Sequence, residues 1–76
     1  MSDSLTTLCA RGPWTTTDGP LTGDAVAALY RAVPAGRAAM CAALGVSSFT
    51  DRRADRALQL LRMAGLIVYS KGWMHV

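Results

Sequence analysis

Apolar residues recur at helical spacing in three stretches of the chain, and each stretch predicts one helix. The first begins at Thr22, an N-cap residue, and reaches Pro34, which ends it or opens the next helix. Its apolar stripe follows the i, i+3, i+4, i+7 pattern: Val26, Leu29, Tyr30 and Val33. The second covers about 35–44 and ends at Gly45, where a helix favours a left-handed residue. Its buried side is formed by Met40, Ala43 and Leu44.

The third predicted helix begins at about 49 or 51 and ends at 64, before Gly65. At 100° per residue it divides into faces of different character. The core stripe consists of Ala54, Ala57, Leu58 and Leu61, and the opposite face of Arg52, Arg56, Gln59 and Met63. Arg53 and Leu60 lie on one flank, and Asp55 and Arg62 lie on the other.

The residues after Gly65 predict a β-hairpin. The segment 66–69 is apolar and rich in β-branched and aromatic side chains, and 73–76 is a second short apolar run. Between them, Ser-Lys-Gly supplies a three-residue loop with Gly72 at a left-handed position. A two-residue Lys71-Gly72 loop is the alternative, and it would force Lys71 to positive φ. The three-residue register places one set of side chains on a common face: Leu66, Val68, Met74 and Val76.

Residues 1–21 carry a weaker pattern and are predicted to form an arm or short helix with a loop. Leu5, Leu8 and Cys9 share one face of a helix over about 4–10, which Gly12-Pro13 would stop. A short strand is possible at 14–16, and Trp14 is expected to anchor the loop on the core. The remainder, 22–76, would form the main part of a single domain.

Charge is divided unevenly between the two parts of the chain. Residues 1–30 carry one Arg against three Asp, a net −2, whereas 31–76 carry six Arg and one Lys against two Asp, a net +5. A basic half with the strongest structural pattern favours a polyanionic partner, of which nucleic acid is the commonest. The alternative is that these cations only solvate a helical surface.

Other residue types exclude several functions. Cys9 and Cys41 lie far apart in a chain without a signal peptide or membrane-spanning run, so we expect reduced thiols, a cytoplasmic protein and no membrane partner. His75 is the only histidine and is expected to be a solvent-facing strand residue, so no metal site is predicted. The chain has no Glu, no nucleophile–base pair and no phosphate-binding Gly loop, so neither an enzyme nor a cofactor is expected.

Two segments resemble winged helix-turn-helix DNA-binding domains of bacterial and phage regulators. The segment "RAAMCAALGVS", 37–47, is similar to the first helix and turn of those domains, where an apolar residue, a small residue and a leucine precede Gly-Val-Ser. The segment "ADRALQLLRMAGLIVYSKG", 54–72, is similar to a recognition helix that ends in L-x-x-x-G-L-I and enters a wing. The resemblance covers about 22–76 and implies a mainly α, α+β fold of three main helices and a C-terminal β-hairpin wing. The turn before the third helix is about three residues longer than usual.

The resemblance implies double-stranded DNA as the partner and the helix around 51–64 as the recognition helix. Base contacts would come from its N-terminal part and solvent-facing side: Arg52, Arg53, Arg56 and Gln59. The candidates for phosphate contact are Ser47, Ser48, Thr50, Arg37 and Lys71. Asp51 and Asp55 suit the start of a helix but repel phosphates, and either could pair with Arg52 or Arg56.

A second function remains open, because winged helices also bind proteins. Leu60 and Met63 are apolar and lie off the core stripe, so they could form a partner surface or the seam of a homodimer. The sequence therefore predicts a small phage or bacterial transcriptional regulator or accessory factor. An adaptor or inhibitor that binds a protein and no DNA is the alternative.

Overall fold

The computed structural model describes residues 5–76 and has an α+β, mainly helical architecture. The described helices are α1 (Leu5–Ala10), α2 (Gly23–Ala32), α3 (Arg37–Leu44) and α4 (Arg52–Met63), with a single 3-10 turn at Val33–Ala35. Two antiparallel hairpins complete it: β1 (Trp14–Thr16) with β2 (Gly19–Leu21), and β3 (Ile67–Tyr69) with β4 (Trp73–His75). The predicted helical segments and the C-terminal hairpin are therefore confirmed.

Capping residues mark the start of α2 and the end of α3 where the sequence predicted them. The Thr22 hydroxyl accepts a hydrogen bond from the Ala25 backbone N–H at 3.2 Å and so caps α2. Gly45 lies in the left-handed region with φ 72°, and the following Val46 N–H returns to the Cys41 carbonyl at 3.0 Å. The chain turns sharply after α3 and presents Val46 to the core.

One hydrophobic core is shared by all four helices and both hairpins. It contains Leu8, Leu21, Val26, Leu29, Val33, Met40, Leu44, Val46, Ala54, Ala57, Leu58, Leu60, Leu61 and Ile67. The predicted stripe of the third helix is fully buried, and the N-terminal segment contributes Leu8 and Leu21. The molecule measures 32 × 28 × 15 Å, so this core is thin in one direction. Within residues 5–76, no helix has the length and apolarity that crossing a membrane requires.

The N-terminal hairpin has a second strand that the sequence did not reveal. Trp14 pairs with Leu21, and Thr16 pairs with Gly19. The Thr16 hydroxyl donates to the Gly19 carbonyl at 2.6 Å and closes the turn. Trp14 is half-buried and packs against the core, as predicted for an anchor. This hairpin packs on the start of α4.

The C-terminal hairpin has the predicted three-residue loop, Ser70 to Gly72, with Val68 opposite Met74. Lys71 itself has φ 60° and Gly72 has φ 136°, so Lys71 shares the left-handed conformation that was expected only of Gly72 in this loop. The face predicted for Leu66, Val68, Met74 and Val76 points mainly outward, and Ile67 supplies the buried side chain instead. His75 is exposed as expected, but its ring also stacks on Tyr30 with centroids 4.3 Å apart.

Candidate nucleic-acid interface

Two carboxylates occupy the start of α4, the predicted recognition helix. Asp51 is its N-cap and accepts from the Arg53 backbone N–H at 2.9 Å. Asp18, at the tip of the N-terminal hairpin, accepts from the Arg52 backbone N–H at 2.8 Å. The positive end of a helix favours such acids. They also place negative charge where a recognition helix would approach phosphates.

Arg53 is held by an ion pair and does not stand free on the helix. Its Nε donates to Asp51 Oδ1 at 3.0 Å, and its Nη2 donates to Oδ2 at 2.9 Å. The side-chain hydrogen bond from Arg53 lowers the pKa of the Asp51 carboxyl, and the same bond raises the pKa of Arg53. Asp51 thus pairs with Arg53, and not with Arg52 or Arg56, the two partners that the sequence offered. Arg53 is engaged on the flank that faces the N-terminal hairpin, so it is a weak candidate for base contact.

The outer face of α4 carries the remaining predicted base-contact residues. Arg52, Arg56 and Gln59 are exposed, and Arg62 and Asp55 are exposed on the flank toward the C-terminal hairpin. Among residues 5–76, the guanidinium groups of Arg52, Arg56 and Arg62 form no ion pair. This exposed strip of side chains, Arg52, Arg56, Gln59 and Arg62, is called the α4 outer strip below.

The predicted phosphate-contact residues fall into two groups. The hydroxyl groups of Ser48 and Thr50 share a hydrogen bond of 2.9 Å. The Ser48 hydroxyl also accepts a hydrogen bond from the Thr50 backbone N–H. These two hydroxyls shape the turn that leads into α4, while Ser47 beside them is exposed. Arg37 and Lys71 are exposed at the start of α3 and at the tip of the C-terminal hairpin.

The packing of α1 on α4 covers one of the two residues of the predicted partner surface, Leu60 and Met63, and leaves the other exposed. Leu60 is only 9% exposed and belongs to the core, because α1 packs on that flank of α4 and brings Leu8 near it. The assignment of Leu60 to a free surface is therefore wrong. Met63 lies toward the outer face of α4, and its side chain is 80% exposed.

A hollow of about 510 Å³ lies between the start of α3 and the C-terminal hairpin. Its aromatic lining consists of Phe49, Tyr69 and Trp73, three of the five aromatic Phe, Trp and Tyr residues of the chain. Arg37 and Lys71 also line it. We call it the aromatic hollow. Sequence reasoning missed it, although its three aromatic residues and its two cations were all visible in the sequence.

Phe49 and Trp73 also line a second hollow, which reaches α4. Its volume is about 260 Å³, and its remaining lining residues are Asp55, Leu58, Gln59 and Arg62. The α4 outer strip and the C-terminal hairpin therefore border one another. A ligand that contacts one surface is within reach of the other.

Comparison with known proteins gives this chain no relative. No family model matches it, and the comparisons with curated proteins and with solved structures gave no match. Any functional assignment therefore rests on the residues and geometry of this chain alone.

Proposed function

We propose that the protein is a winged helix-turn-helix protein that binds duplex DNA through the α4 outer strip. The observation that carries this proposal is the unpaired state of Arg52, Arg56 and Arg62 within the described chain, together with their position on one amphipathic helix. A major groove about 12 Å wide admits a single helix. Arginine can bond a guanine edge with two hydrogen bonds, and Gln59 can do the same with adenine.

The order of the elements supports the winged-helix part of the proposal. Helices α2, α3 and α4 are followed directly by the β3–β4 hairpin, and a left-handed Gly45 turns the chain between α3 and α4. The hairpin lies beside the α4 outer strip across the second hollow. A wing in that position could contact the sugar–phosphate backbone next to the groove through Lys71.

The acids at the start of α4 determine which part of the helix approaches DNA. Asp18 and Asp51 both bind its first backbone N–H groups, so phosphates are repelled there. We therefore expect base contacts from the middle of the helix, at Arg56 and Gln59, with Arg62 contacting phosphates further along it. This differs from a recognition helix that reads bases with its first residues.

The test is binding to a duplex that the protein itself selects from a random pool. Arg56→Ala should weaken binding to that site by about 1–3 kcal/mol and relax one base preference, because a bidentate contact is lost. Arg31→Ala is the matched control, since Arg31 is exposed in the last turn of α2 and outside the α4 outer strip. Phosphate contacts also predict that affinity falls steeply with salt.

The DNA proposal is overturned if no duplex binds at low salt. Equal binding by the wild type and by a variant with Arg52, Arg56 and Arg62 all replaced by alanine would reject α4 as the binding element. Thermal unfolding of each variant shows whether a lost activity reflects lost folding.

A protein-binding function is the second candidate, and exposed apolar side chains favour it. Four of the five large exposed hydrophobic residues among those described belong to the C-terminal hairpin segment: Val68, Tyr69, Met74 and Val76. An adaptor or inhibitor could bind its target there. Replacing Val68 and Met74 with serine should then abolish capture of the target and leave duplex binding unchanged.

The cellular setting we propose is the cytoplasm, in the role of a phage or bacterial transcriptional regulator or accessory factor. Cys9 and Cys41 are both free thiols. Burial raises the pKa of the Cys9 thiol, with Asp24 adding to the effect, so the protonated form is favoured. Two free thiols suit a reducing compartment.

A further inference from the structure

The aromatic hollow has an electrostatic character of its own. Ten residues line it, two of them are the cations Arg37 and Lys71, and none is acidic. The nearest side chains to an entering ligand would therefore attract an anion and offer no opposing carboxylate. Its volume lies within the range of about 300–1,000 Å³ that small-molecule sites occupy.

The aromatic rings present flat apolar surfaces beside those cations. Tyr69 and Trp73 are cross-strand neighbours whose centroids lie 5.1 Å apart in an edge-to-face arrangement. Tyr69 is 61% exposed, so its ring is open to a ligand. Elsewhere in the lining, the guanidinium carbon of Arg37 lies 5.6 Å from the centre of the Phe49 ring. A planar ligand can stack on the exposed ring of Tyr69, beside these cations.

We propose that the aromatic hollow binds unpaired nucleotides of a single-stranded nucleic acid. A base stacks on Tyr69 or Trp73, and Arg37 and Lys71 hold the phosphates on either side of it. Single-strand sites combine these two features, a basic groove and aromatic stacking surfaces. A duplex cannot use the hollow in this way, because its base faces are covered by neighbouring base pairs. The inference rests on the proposed function only in taking nucleic acid as the ligand, and it assigns a different surface from the α4 outer strip.

The first measurement compares three labelled probes by fluorescence anisotropy at low salt. They are an oligothymidylate, a base-free abasic strand of the same length, and an oligoglutamate peptide of similar charge. Stacking predicts that the oligothymidylate binds about tenfold more tightly than the abasic strand. Equal binding of those two strands would overturn the proposal, because only backbone charge would then matter. Tighter binding of the peptide would instead assign the hollow to an acidic protein.

Variants locate the contact. Tyr69→Ala should remove most of the preference for the oligothymidylate over the abasic strand, whereas Arg37→Ala should weaken both strands by a similar factor. Val68→Ala is the matched control, because Val68 precedes Tyr69 in the same strand and does not line the hollow. Duplex binding should be unchanged in Tyr69→Ala. If Tyr69→Ala and Val68→Ala behave alike, the hollow is not the stacking site.

Two indole N–H signals provide a readout that does not depend on substitution. Trp73 lines the hollow, and Trp14 belongs to the other hairpin. Oligothymidylate should shift the Trp73 indole signal in a nitrogen–proton NMR spectrum and leave the Trp14 signal in place. An unshifted Trp73 signal at saturation would overturn the proposal. The two proposals can fail separately. The effect of Arg56→Ala on duplex binding tests α4 alone, whereas the Trp73 signal tests the aromatic hollow alone.

Discussion

The two hairpins have the same size and opposite roles. Each has two antiparallel strands of three residues. In the N-terminal hairpin, Leu21 is buried and the tip residue Asp18 binds the α4 backbone. In the C-terminal hairpin, Ile67 is buried, but the tip residue Lys71 and most side chains beyond it face solvent. The first hairpin is a fastening for α4, and the second displays one cation, Lys71, beside aromatic rings.

This difference shows that a short hairpin takes its role from what its tip contacts. An isolated hairpin has little stability of its own. The N-terminal hairpin is stabilised by contacts at both ends. Its base packs in the core, and its charged tip binds the backbone of α4. The C-terminal one docks mainly through its base, so its tip remains available to a ligand.

The largest effect should come from the buried side chain of the N-terminal hairpin. Leu21→Ala removes a fully buried leucine and should lower the free energy of unfolding by about 2–5 kcal/mol. Met74→Ala in the other hairpin, at 49% exposure, should change it by about 0.5 kcal/mol or less. Urea unfolding followed by circular dichroism measures both. Similar losses in the two variants would contradict the division between fastening and display.

Matched glycines in the two loops test the same division. Gly19 has φ 129° and Gly72 has φ 136°, so alanine at either position strains the backbone by about 1–3 kcal/mol. Gly19→Ala should lower the free energy of global unfolding by about that amount, because the N-terminal hairpin is docked on α4. Gly72→Ala should instead open the C-terminal loop locally. Hydrogen exchange should then be faster at 69–73 while the urea midpoint changes less than in Gly19→Ala.

The two charged tips should separate stability from binding. Asp18→Ala removes the acceptor of the Arg52 N–H and should destabilise the protein by about 1 kcal/mol. The same change should strengthen DNA binding, because a carboxylate leaves the end of α4. Lys71→Ala should leave thermal stability nearly unchanged and weaken binding of single strands. A stability loss from Lys71→Ala as large as that from Asp18→Ala would contradict this assignment.

The smallest effect should be a pH dependence confined to the fastening side. The Asp51 carboxyl has a lowered pKa in the folded protein, owing to its hydrogen bonds with Arg53. Its contribution to stability is therefore complete above the ordinary carboxyl pKa of about 3.9 and is lost as pH falls through the lower folded value. Thermal melts should show a stability difference between wild type and Asp51→Asn that shrinks on acidification. A difference that persists at the lowest pH would contradict the role of the ionised carboxylate.

Most of the helical framework could be predicted because its signals are local. The Ala54, Ala57, Leu58 and Leu61 stripe defines the buried face of α4 without reference to any other part of the chain. Gly45 ends α3 because its own backbone adopts a conformation that other residues avoid. The C-terminal hairpin was similarly visible from its Ser-Lys-Gly loop.

The features that escaped prediction depend on contacts distant in sequence or on small departures from regular geometry. The second strand, Gly19–Leu21, contains a glycine and a proline, and it forms because Leu21 reaches the core. Leu60 was assigned to a surface because nothing near it in sequence indicates that α1 covers it. Asp51 and Arg53 do not face each other on a regular helix. They pair because Asp51 is an N-cap outside the helical turns.

The 15 Å thickness of the molecule also bears on how its sequence can change. Two helices packed with their axes about 8–10 Å apart span about 13–15 Å between their outer Cα atoms, so a single layer of side chains forms the core. Ala54 and Ala57 are fully buried in that layer, and a larger residue at either position would push α4 outward. No deeper shell exists to absorb the displacement. Neutral drift should therefore concentrate on the two broad surfaces, and accepted core changes should occur as compensating pairs on opposite sides of the layer.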